Sequence, residues 1–267
     1  MNYISERYKN PSSLRKEYIR NNPFPHIVLD NFIDTNFLEK VLSEFPDLRN
    51  LKNKIEFKDQ KQIKFASKGF ADLSPSCKEL VSYLNSDLFL KYLQELTGIK
   101  EILISDPYLS GGGYHEIKKG GVLKVHADFN KHPYLDLDRR INLLLYLNKN
   151  WESSWGGNIE LFDIKNLSYP AKSIEPLFNR CLIFSTTSYT YHGHPKELTC
   201  PESKSRKSIA LYYFSSGRPK SEISNKKHST LFIAASGEKY KLNLKEILIN
   251  WVPPIILKKI KSFKNKF

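Results

Sequence analysis

A histidine and an aspartate two positions apart, in a strand-like run, are the residues of this chain best suited to bind a metal ion. They are His126 and Asp128 in Val-His-Ala-Asp-Phe, and two further histidines, His192 and His194, lie downstream. Because alternate residues of a strand project to the same side, His126 and Asp128 offer two adjacent ligands. Two imidazoles and one carboxylate form a facial triad that holds ferrous iron and leaves coordination positions open. The sequence therefore predicts an open metal site, which indicates catalysis rather than a structural role.

The third ligand is not decided by the spacing alone. His192 and His194 are two residues apart, so both face the metal if this segment is extended. A rival ligand set consists of His115 and Glu116. Adjacent residues of a strand point to opposite faces, so that His115 and Glu116 do not readily share one ion. We therefore favour the set that contains His126 and Asp128.

Short apolar runs must position these residues. They are separated by Gly, Pro, Asn and Asp turns and comprise residues 102–104, 123–128, 141–147, 158–162, 173–176, 181–184 and 208–214. Such regular spacing predicts an antiparallel double sheet. The jelly-roll, or double-stranded β-helix, is one of the few such folds with an internal site lined by side chains. The fold class is thus predicted as α+β, mainly β.

The N-terminal third has the patterns of a scaffold around this core. Residues 24–30 are predicted to form a short strand, and Asp34 is predicted to cap a helix. Residues 52–68 are charged and aperiodic and are predicted to form a loop, whereas residues 76–97 show helical spacing. Residues 1–100 are therefore predicted to belong to the same domain as the core, with helices packed outside one sheet.

The order of motifs after His126 is more specific than any one of them. A Gly-Gly pair precedes the strand at residues 159–162, a later histidine follows, and Arg206 opens the strand at residues 208–214. Residues 146–151 read Tyr-Leu-Asn-Lys-Asn-Trp. From Gly112 to Phe214 the chain resembles the Fe(II)- and 2-oxoglutarate-dependent dioxygenases, and most closely their prolyl 4-hydroxylase-like branch.

The resemblance implies a ligand set and a co-substrate site. The implied iron ligands, which are also the catalytic residues, are His126, Asp128 and His192. His192 matches the family's distal ligand better than His194 does, which leaves His194 beside the metal or the substrate. The interval from His192 to Arg206 is longer than usual in the family, so the resemblance requires an inserted loop at residues 198–203.

Arg206 is the implied partner of the distal carboxylate of 2-oxoglutarate. A guanidinium offers paired donors that match a carboxylate and stays charged when buried. Lys204 and Lys207 are alternative sources of this positive charge. The resemblance adds Tyr146 as a second donor to the co-substrate, and Ser208 is a candidate for a further hydroxyl contact.

The activity implied by the resemblance is the hydroxylation of an unidentified substrate, either a prolyl residue or a small molecule. The cofactors would be Fe(II) and 2-oxoglutarate, with O2 as the oxidant, ascorbate as an accessory reductant, and succinate and CO2 as products. The alternative is a non-catalytic jelly-roll binding protein with a vestigial metal site and a basic tail. We disfavour it because all the expected ligands and the arginine are present together.

The formal charge of +14 on 267 residues is concentrated at the C-terminus, where residues 218–267 hold twelve Lys and Arg against three Glu. We predict a jelly-roll core at residues 101–217 and a basic extension at residues 218–267, with helices at residues 239–251 and 255–267. The extension is rich in lysine and poor in aromatics, so specific nucleic-acid binding is not expected. Weak contact with an anionic membrane or an acidic partner is the most that its charge supports.

Three widely spaced cysteines do not resemble a disulfide framework. The first ten residues carry charges without an apolar run, so neither a signal peptide nor a transmembrane start is predicted. A reducing cytoplasm is therefore the expected location.

Overall fold

The computed structural model of the protein describes residues 3–222 and 227–233. Its centre is a pair of antiparallel sheets with an apolar layer between them. The strands are β1 (His26–Asp30), β2 (Ile55–Lys58), β3 (Ile63–Ala66), β4 (Leu103–Ser105), β5 (Gly113–Ile117), β6 (Leu123–Ala127), β7 (Asp138–Tyr146), β8 (Ile159–Phe162), β9 (Lys172–Ile174), β10 (Arg180–Ser185), β11 (Tyr191–His194), β12 (Arg206–Ser215) and β13 (Leu231–Phe232). The helices are α1 (Pro11–Arg20), α2 (Thr35–Ser43), α3 (Pro75–Leu84) and α4 (Asp87–Thr97).

The larger sheet runs in the order β1-β10-β7-β12-β5-β3-β2, with β4 also paired to β12. The smaller sheet runs in the order β13-β6-β11-β8-β9. Consecutive strands of the chain therefore alternate between the two sheets in several places, as β6 and β7 do. This arrangement confirms the predicted jelly-roll core.

Strand β7 is buried on both of its faces, which explains its nearly continuous apolar sequence. Leu143 and Leu145 face the core that the helices share, whereas Tyr146 faces the layer between the sheets. A strand that is buried on both faces needs apolar residues on both, so its sequence is a nearly continuous apolar run. The predicted position of the helices, outside one sheet, is confirmed by this packing.

The helices begin at the residues that their capping chemistry predicts. Asp34 caps α2, where its Oδ1 accepts a hydrogen bond of 2.9 Å from the backbone N–H of Phe37. The helical pattern at residues 76–97 corresponds to two helices, because the chain turns at Asn85 and Ser86 caps α4. Gly98 then ends α4 with a φ of 73°, a conformation that glycine adopts without strain.

The prediction of a loop at residues 52–68 is wrong. Strands β2 and β3 pair there as an antiparallel hairpin, and β3 joins the edge of the larger sheet through β5. Both strands alternate apolar and charged residues, as in Ile55-Glu56-Phe57-Lys58. Each strand is only four residues long, so this two-residue period is too short to stand out within a charged segment.

The final described strand lies beyond the span that carries the sequence motifs and joins the smaller sheet. Strand β13 pairs with β6, with Leu231 opposite Ala127 and Phe232 opposite His126. The helices predicted at residues 239–251 and 255–267 lie outside the described residues. In the part of the chain that the structure describes, no helix has the length and apolarity needed to cross a bilayer. The three cysteines are buried and unpaired.

Loss of the cap at α2 provides a test of the helical scaffold. Asp34→Ala should lower the free energy of unfolding by about 1 kcal/mol, because the first turn of the helix loses an acceptor for one of its N–H groups. Asp34→Asn keeps a side-chain oxygen at the same position and should stay close to the wild type. Chemical denaturation measures both variants, and equal destabilisation by the two would show that the cap is not the cause.

Candidate metal centre

Two adjacent strands of the smaller sheet bring the predicted metal ligands together. His126 lies in β6 and His192 lies in β11, directly opposite each other in the antiparallel register. Asp128 follows the end of β6 by one residue. One donor atom from each of these three residues lies within 4.8 Å of the others. The chain thus places the three predicted ligands around one point.

Backbone carbonyls orient the two imidazoles. Nδ1 of His126 donates to the carbonyl oxygen of Lys124 at 2.8 Å, and Nδ1 of His192 donates to that of Thr190 at 3.2 Å. A ring whose Nδ1 carries the proton has its lone pair on Nε2. The two Nε2 atoms lie 3.7 Å and 3.4 Å from the carboxylate oxygens of Asp128. Both imidazoles therefore direct a metal-binding nitrogen toward the carboxylate.

The charge states of these residues also suit a metal ion. Burial lowers the pKa of His126 to about 3, and it lowers the pKa of His192 below its ordinary value, so both rings are neutral near pH 7. Burial alone would raise the pKa of Asp128, but Arg139 and the two histidines hold it below its ordinary range. Neutral imidazoles and an ionised carboxylate are the forms that bind metal. The three residues fit Fe(II).

The structure separates the two candidates for the distal ligand. The register between β11 and β6 shifts between His192 and His194. Only His192 joins His126 and Asp128 in the group of three candidate ligands, here called the metal cluster. Gly193 allows the close approach of the strands, since a Cβ there would lie 2.8 Å from the carbonyl oxygen of Leu123. His194 is buried, and burial and the nearby Arg206 lower its pKa well below the ordinary value.

His115 and Glu116, the rival ligand pair, point to opposite sides of β5. His115 lines the cavity at the metal cluster. Glu116 is buried on the other side, where it accepts hydrogen bonds from the backbone N–H of Leu48 at 3.1 Å and from the hydroxyl of Ser205 at 2.7 Å. Glu116 therefore has a structural role, and the two residues do not share an ion site.

The predicted co-substrate residues lie on the larger sheet, across the cavity from the cluster. Arg206 is 5% exposed, donates from Nε to the carbonyl oxygen of Gly157 at 2.7 Å, and donates from Nη2 to the Tyr146 hydroxyl at 3.1 Å. Ser208 pairs with Tyr146 in the sheet and lines the same cavity as Arg206. No carboxylate among the described residues forms an ion pair with Arg206. A buried guanidinium with this spare capacity fits a carboxylate of 2-oxoglutarate.

The alternative cations of the same segment face elsewhere. Lys207, whose side chain points to the opposite side of β12 from Arg206, donates to the Ser205 hydroxyl at 2.6 Å and lies 3.9 Å from Glu116. Lys204 is exposed to solvent. Residues 195–205 between β11 and β12 form a loop, in agreement with the insertion that the long interval implied.

Two residues of β7 that contact the candidate ligand Asp128 were not predicted. Nδ2 of Asn142 donates to Oδ2 of Asp128 at 2.7 Å, and Nε of Arg139 donates to Oδ1 of Asn142 at 2.9 Å. The Arg139 guanidinium lies between the rings of Phe129 and Tyr212, at 4.3 Å and 3.5 Å from their centroids. The pairing of β7 with β12 shifts register between Arg139 and Ile141, and this irregularity places Arg139 and Asn142, three residues apart, on the same side.

Two overlapping cavities surround the cluster. The inner one, of about 60 Å³, contains the metal cluster, Arg206 and Ser208 among its lining residues. The outer one, of about 240 Å³, shares His126 and Asp128 with it and is walled by the β2–β3 hairpin and by Phe232. The wrongly predicted loop is therefore a wall of the site.

Comparison with known sequences finds similar proteins for the segment that contains these residues. Residues 112–214 match the sequence profile of the 2OG-Fe(II) oxygenase superfamily. Over this span the chain is similar to this superfamily. The matched span is the one over which the motifs resemble the dioxygenases. Fe(II) and 2-oxoglutarate are the cofactors of that superfamily, so the match supports the predicted recognition and the predicted cofactors.

Two curated proteins that this chain resembles are named prolyl 3-hydroxylases. The prolyl 3-hydroxylase OGFOD1 of Xenopus laevis is 26% identical over 196 residues, which cover 72% of this chain and 35% of that protein. The Mus musculus protein of the same name is 25% identical over 197 residues, covering 72% of this chain and 33% of its own length. This chain thus spans about a third of the length of the curated relatives that it matches.

Solved structures share the fold. A prolyl hydroxylase of Trichoplax adhaerens, in complex with a hypoxia inducible factor oxygen degradation domain peptide, aligns with a TM-score of 0.55 and 17% identity over 79% of this chain and 91% of the other. A Pseudomonas putida prolyl-4-hydroxylase aligns with a TM-score of 0.51 and 13% identity over 77% and 98% of the two chains. At these identities the likeness concerns the fold.

The two histidines of β11 should respond differently to substitution. His192→Ala should weaken the binding of Mn(II), used as a stand-in for Fe(II), by on the order of 100-fold or more, because a ligand is lost. His194→Ala should leave the affinity for Mn(II) within a few-fold of the wild type. Titration followed by electron paramagnetic resonance measures both. The reverse pattern would assign the distal ligand to His194.

Proposed function

We propose that this protein is an Fe(II)- and 2-oxoglutarate-dependent dioxygenase that hydroxylates its substrate and releases succinate and CO2. The observation that carries the proposal is the buried guanidinium of Arg206, which has no carboxylate partner among the described residues and lines the same cavity as the metal cluster. When bound, Fe(II) and 2-oxoglutarate supply the oxidative chemistry that inserts an oxygen atom from O2 into a C–H bond.

In this proposal His126, Asp128 and His192 hold the iron. The Nδ1–H groups of both histidines already donate to backbone carbonyl oxygens, and the Asp128 carboxylate already accepts a hydrogen bond from Asn142. Little reorganisation is therefore needed when the metal binds. Asn142 holds the second carboxylate oxygen of Asp128, which leaves Oδ1 for the metal. Three protein ligands leave the remaining coordination positions to the co-substrate and O2.

Arg206 and Tyr146 hold the distal carboxylate of 2-oxoglutarate. The Tyr146 hydroxyl accepts a hydrogen bond from Arg206, so its own proton is free to be donated to an oxygen of the co-substrate. Ser208 offers a second hydroxyl on the same strand as Arg206. Hydrogen bonds that involve a buried charge are the strongest of these contacts, and Arg206 therefore contributes most of the affinity.

The walls of the outer cavity limit access of water to the metal. Phe232 packs 5.3 Å from the ring of His126, and Phe57 of the β2–β3 hairpin lines the same cavity. Exclusion of bulk water protects a reactive centre from side reactions.

A prolyl residue is the substrate that the relatives favour. The curated relatives are named prolyl 3-hydroxylases, and the two structural neighbours above are named prolyl hydroxylases, one of them in complex with a peptide. A peptide enters a cavity that is open at one side more readily than a closed one. A prolyl residue within a peptide is thus the first substrate class to screen, with small molecules as the second.

An anaerobic titration tests the proposed activity without knowledge of the substrate. Addition of 2-oxoglutarate to the Fe(II)-loaded protein should produce the visible charge-transfer absorption of the bound co-substrate. His126→Ala and Asp128→Ala should abolish it, because the metal is no longer held. A correctly folded wild type that gives no such absorption would favour the non-catalytic binding protein instead.

The role of Arg206 in binding 2-oxoglutarate is tested in the same titration. The measured quantity is the 2-oxoglutarate concentration at which half of the absorption change has occurred. Arg206→Ala should raise it by about 10- to 100-fold, the effect of losing charge-assisted hydrogen bonds in a buried site. Lys207→Ala is the matched control and should leave it unchanged, since Lys207 points away from the cavity. A wild-type response in Arg206→Ala would place the anchor elsewhere.

A further inference from the structure

A lysine of the β2–β3 hairpin faces the metal cluster. Lys64 lines both cavities, next to Phe57, whose ring centroid lies 4.8 Å from its Nζ. Within the described ranges no carboxylate forms an ion pair with Lys64. Burial lowers the pKa of Lys64 to about 8, and the attraction of Asp128 opposes this effect. The ammonium group thus stands in the cavity without a dedicated partner.

Arg139 presents a second set of unused donors to the outer cavity. Its side chain is 1% exposed, and its Nε is occupied by Asn142. Nη2 lies 3.2 Å from Oδ2 of Asp128, but neither Nη1 nor Nη2 donates a hydrogen bond to any described residue. Buried donors without an acceptor cost free energy, so such groups usually serve a ligand.

With Fe(II) and 2-oxoglutarate bound, the site would carry an excess of positive charge. The charges of Fe(II) and Arg206 balance those of Asp128 and the two carboxylates of 2-oxoglutarate. Arg139 keeps its ion pair with Asp128 at 3.2 Å, but the charge of Asp128 is already counted, so the site carries two positive charges in excess, those of Lys64 and Arg139. An uncompensated pair of positive charges in a partly desolvated cavity is unfavourable unless an anion joins them.

We propose that Lys64 and Arg139 form a subsite that binds an anionic oxygen group of the substrate, either a carboxylate or a phosphate. The proposal rests on the dioxygenase function proposed above and names the substrate class of that site. The planar guanidinium of Arg139 offers paired donors and the ammonium of Lys64 a mobile point charge, a combination that suits an oxyanion. The substrate would thereby be oriented with its acidic group against the hairpin and its reacting C–H group toward the metal.

Simple anions test the subsite. The protein is loaded with Zn(II), which is redox-inert, and with saturating 2-oxoglutarate, so that Arg206 is occupied. Acetate and inorganic phosphate are then titrated separately at constant ionic strength, and the backbone amide shift of Lys64 is followed by nuclear magnetic resonance. At least one anion should give a saturable shift, and Lys64→Gln should weaken its binding by on the order of tenfold.

Two variants serve as controls for charge. Lys58→Gln removes an exposed lysine from the same hairpin and should bind the anion like the wild type. Lys64→Arg keeps the charge and should restore most of the binding that Lys64→Gln loses. Preference for acetate assigns the subsite to a carboxylate, and preference for phosphate assigns it to a phosphate.

Other outcomes overturn the proposal. Absence of a saturable shift with both anions, or equal binding by Lys64→Gln, would exclude the subsite. A higher 2-oxoglutarate requirement in Lys64→Gln would assign Lys64 to the co-substrate instead. Retention of 2-oxoglutarate by the Zn(II)-loaded wild type is measured in the same samples. If that retention fails, the proposed function fails; if it holds without anion binding, only the subsite does.

Discussion

The antiparallel pairing of β6 with β11 is the contact on which the site depends. It sets His126 directly opposite His192, although many residues and several strands separate them in the chain. The strands approach closely because Gly193 has no side chain, and any Cβ there would meet the backbone of β6. The spacing of the two imidazoles is therefore a property of the backbone ladder rather than of flexible side chains.

The same centre joins the two sheets. Asp128 follows a strand of the smaller sheet, whereas Asn142 and Arg139 belong to β7 of the larger one. Arg206 and Tyr146 occupy neighbouring strands of the larger sheet, so their distance is also set by backbone pairing. The three candidate metal ligands and the residues predicted to bind the co-substrate thus lie on opposite walls of a single sandwich, and the interlayer packing fixes the distance between them.

The residue pattern and the order of motifs were sufficient to predict those features that follow from local rules, such as the period of a strand or the capping of a helix. The two-residue period of a strand predicts that His126 and Asp128 share a face, and the capping role of Asp34 follows from its residue type. The choice of His192 over His194 required the register of β11, and Arg139 required a local irregularity in the pairing of β7. Neither feature has a sequence signal. The β2–β3 hairpin was missed because each of its strands is only four residues long and lies in a charged segment.

Strand β13 shows that the jelly-roll does not end where its sequence motifs end. By pairing with β6 it covers the outer backbone edge of the strand that carries His126. An uncovered strand edge is a template for pairing with other chains. Chain beyond Phe214 is consequently part of the folded domain, and a version shortened to the motif-bearing span would expose the strand that carries His126 to self-association.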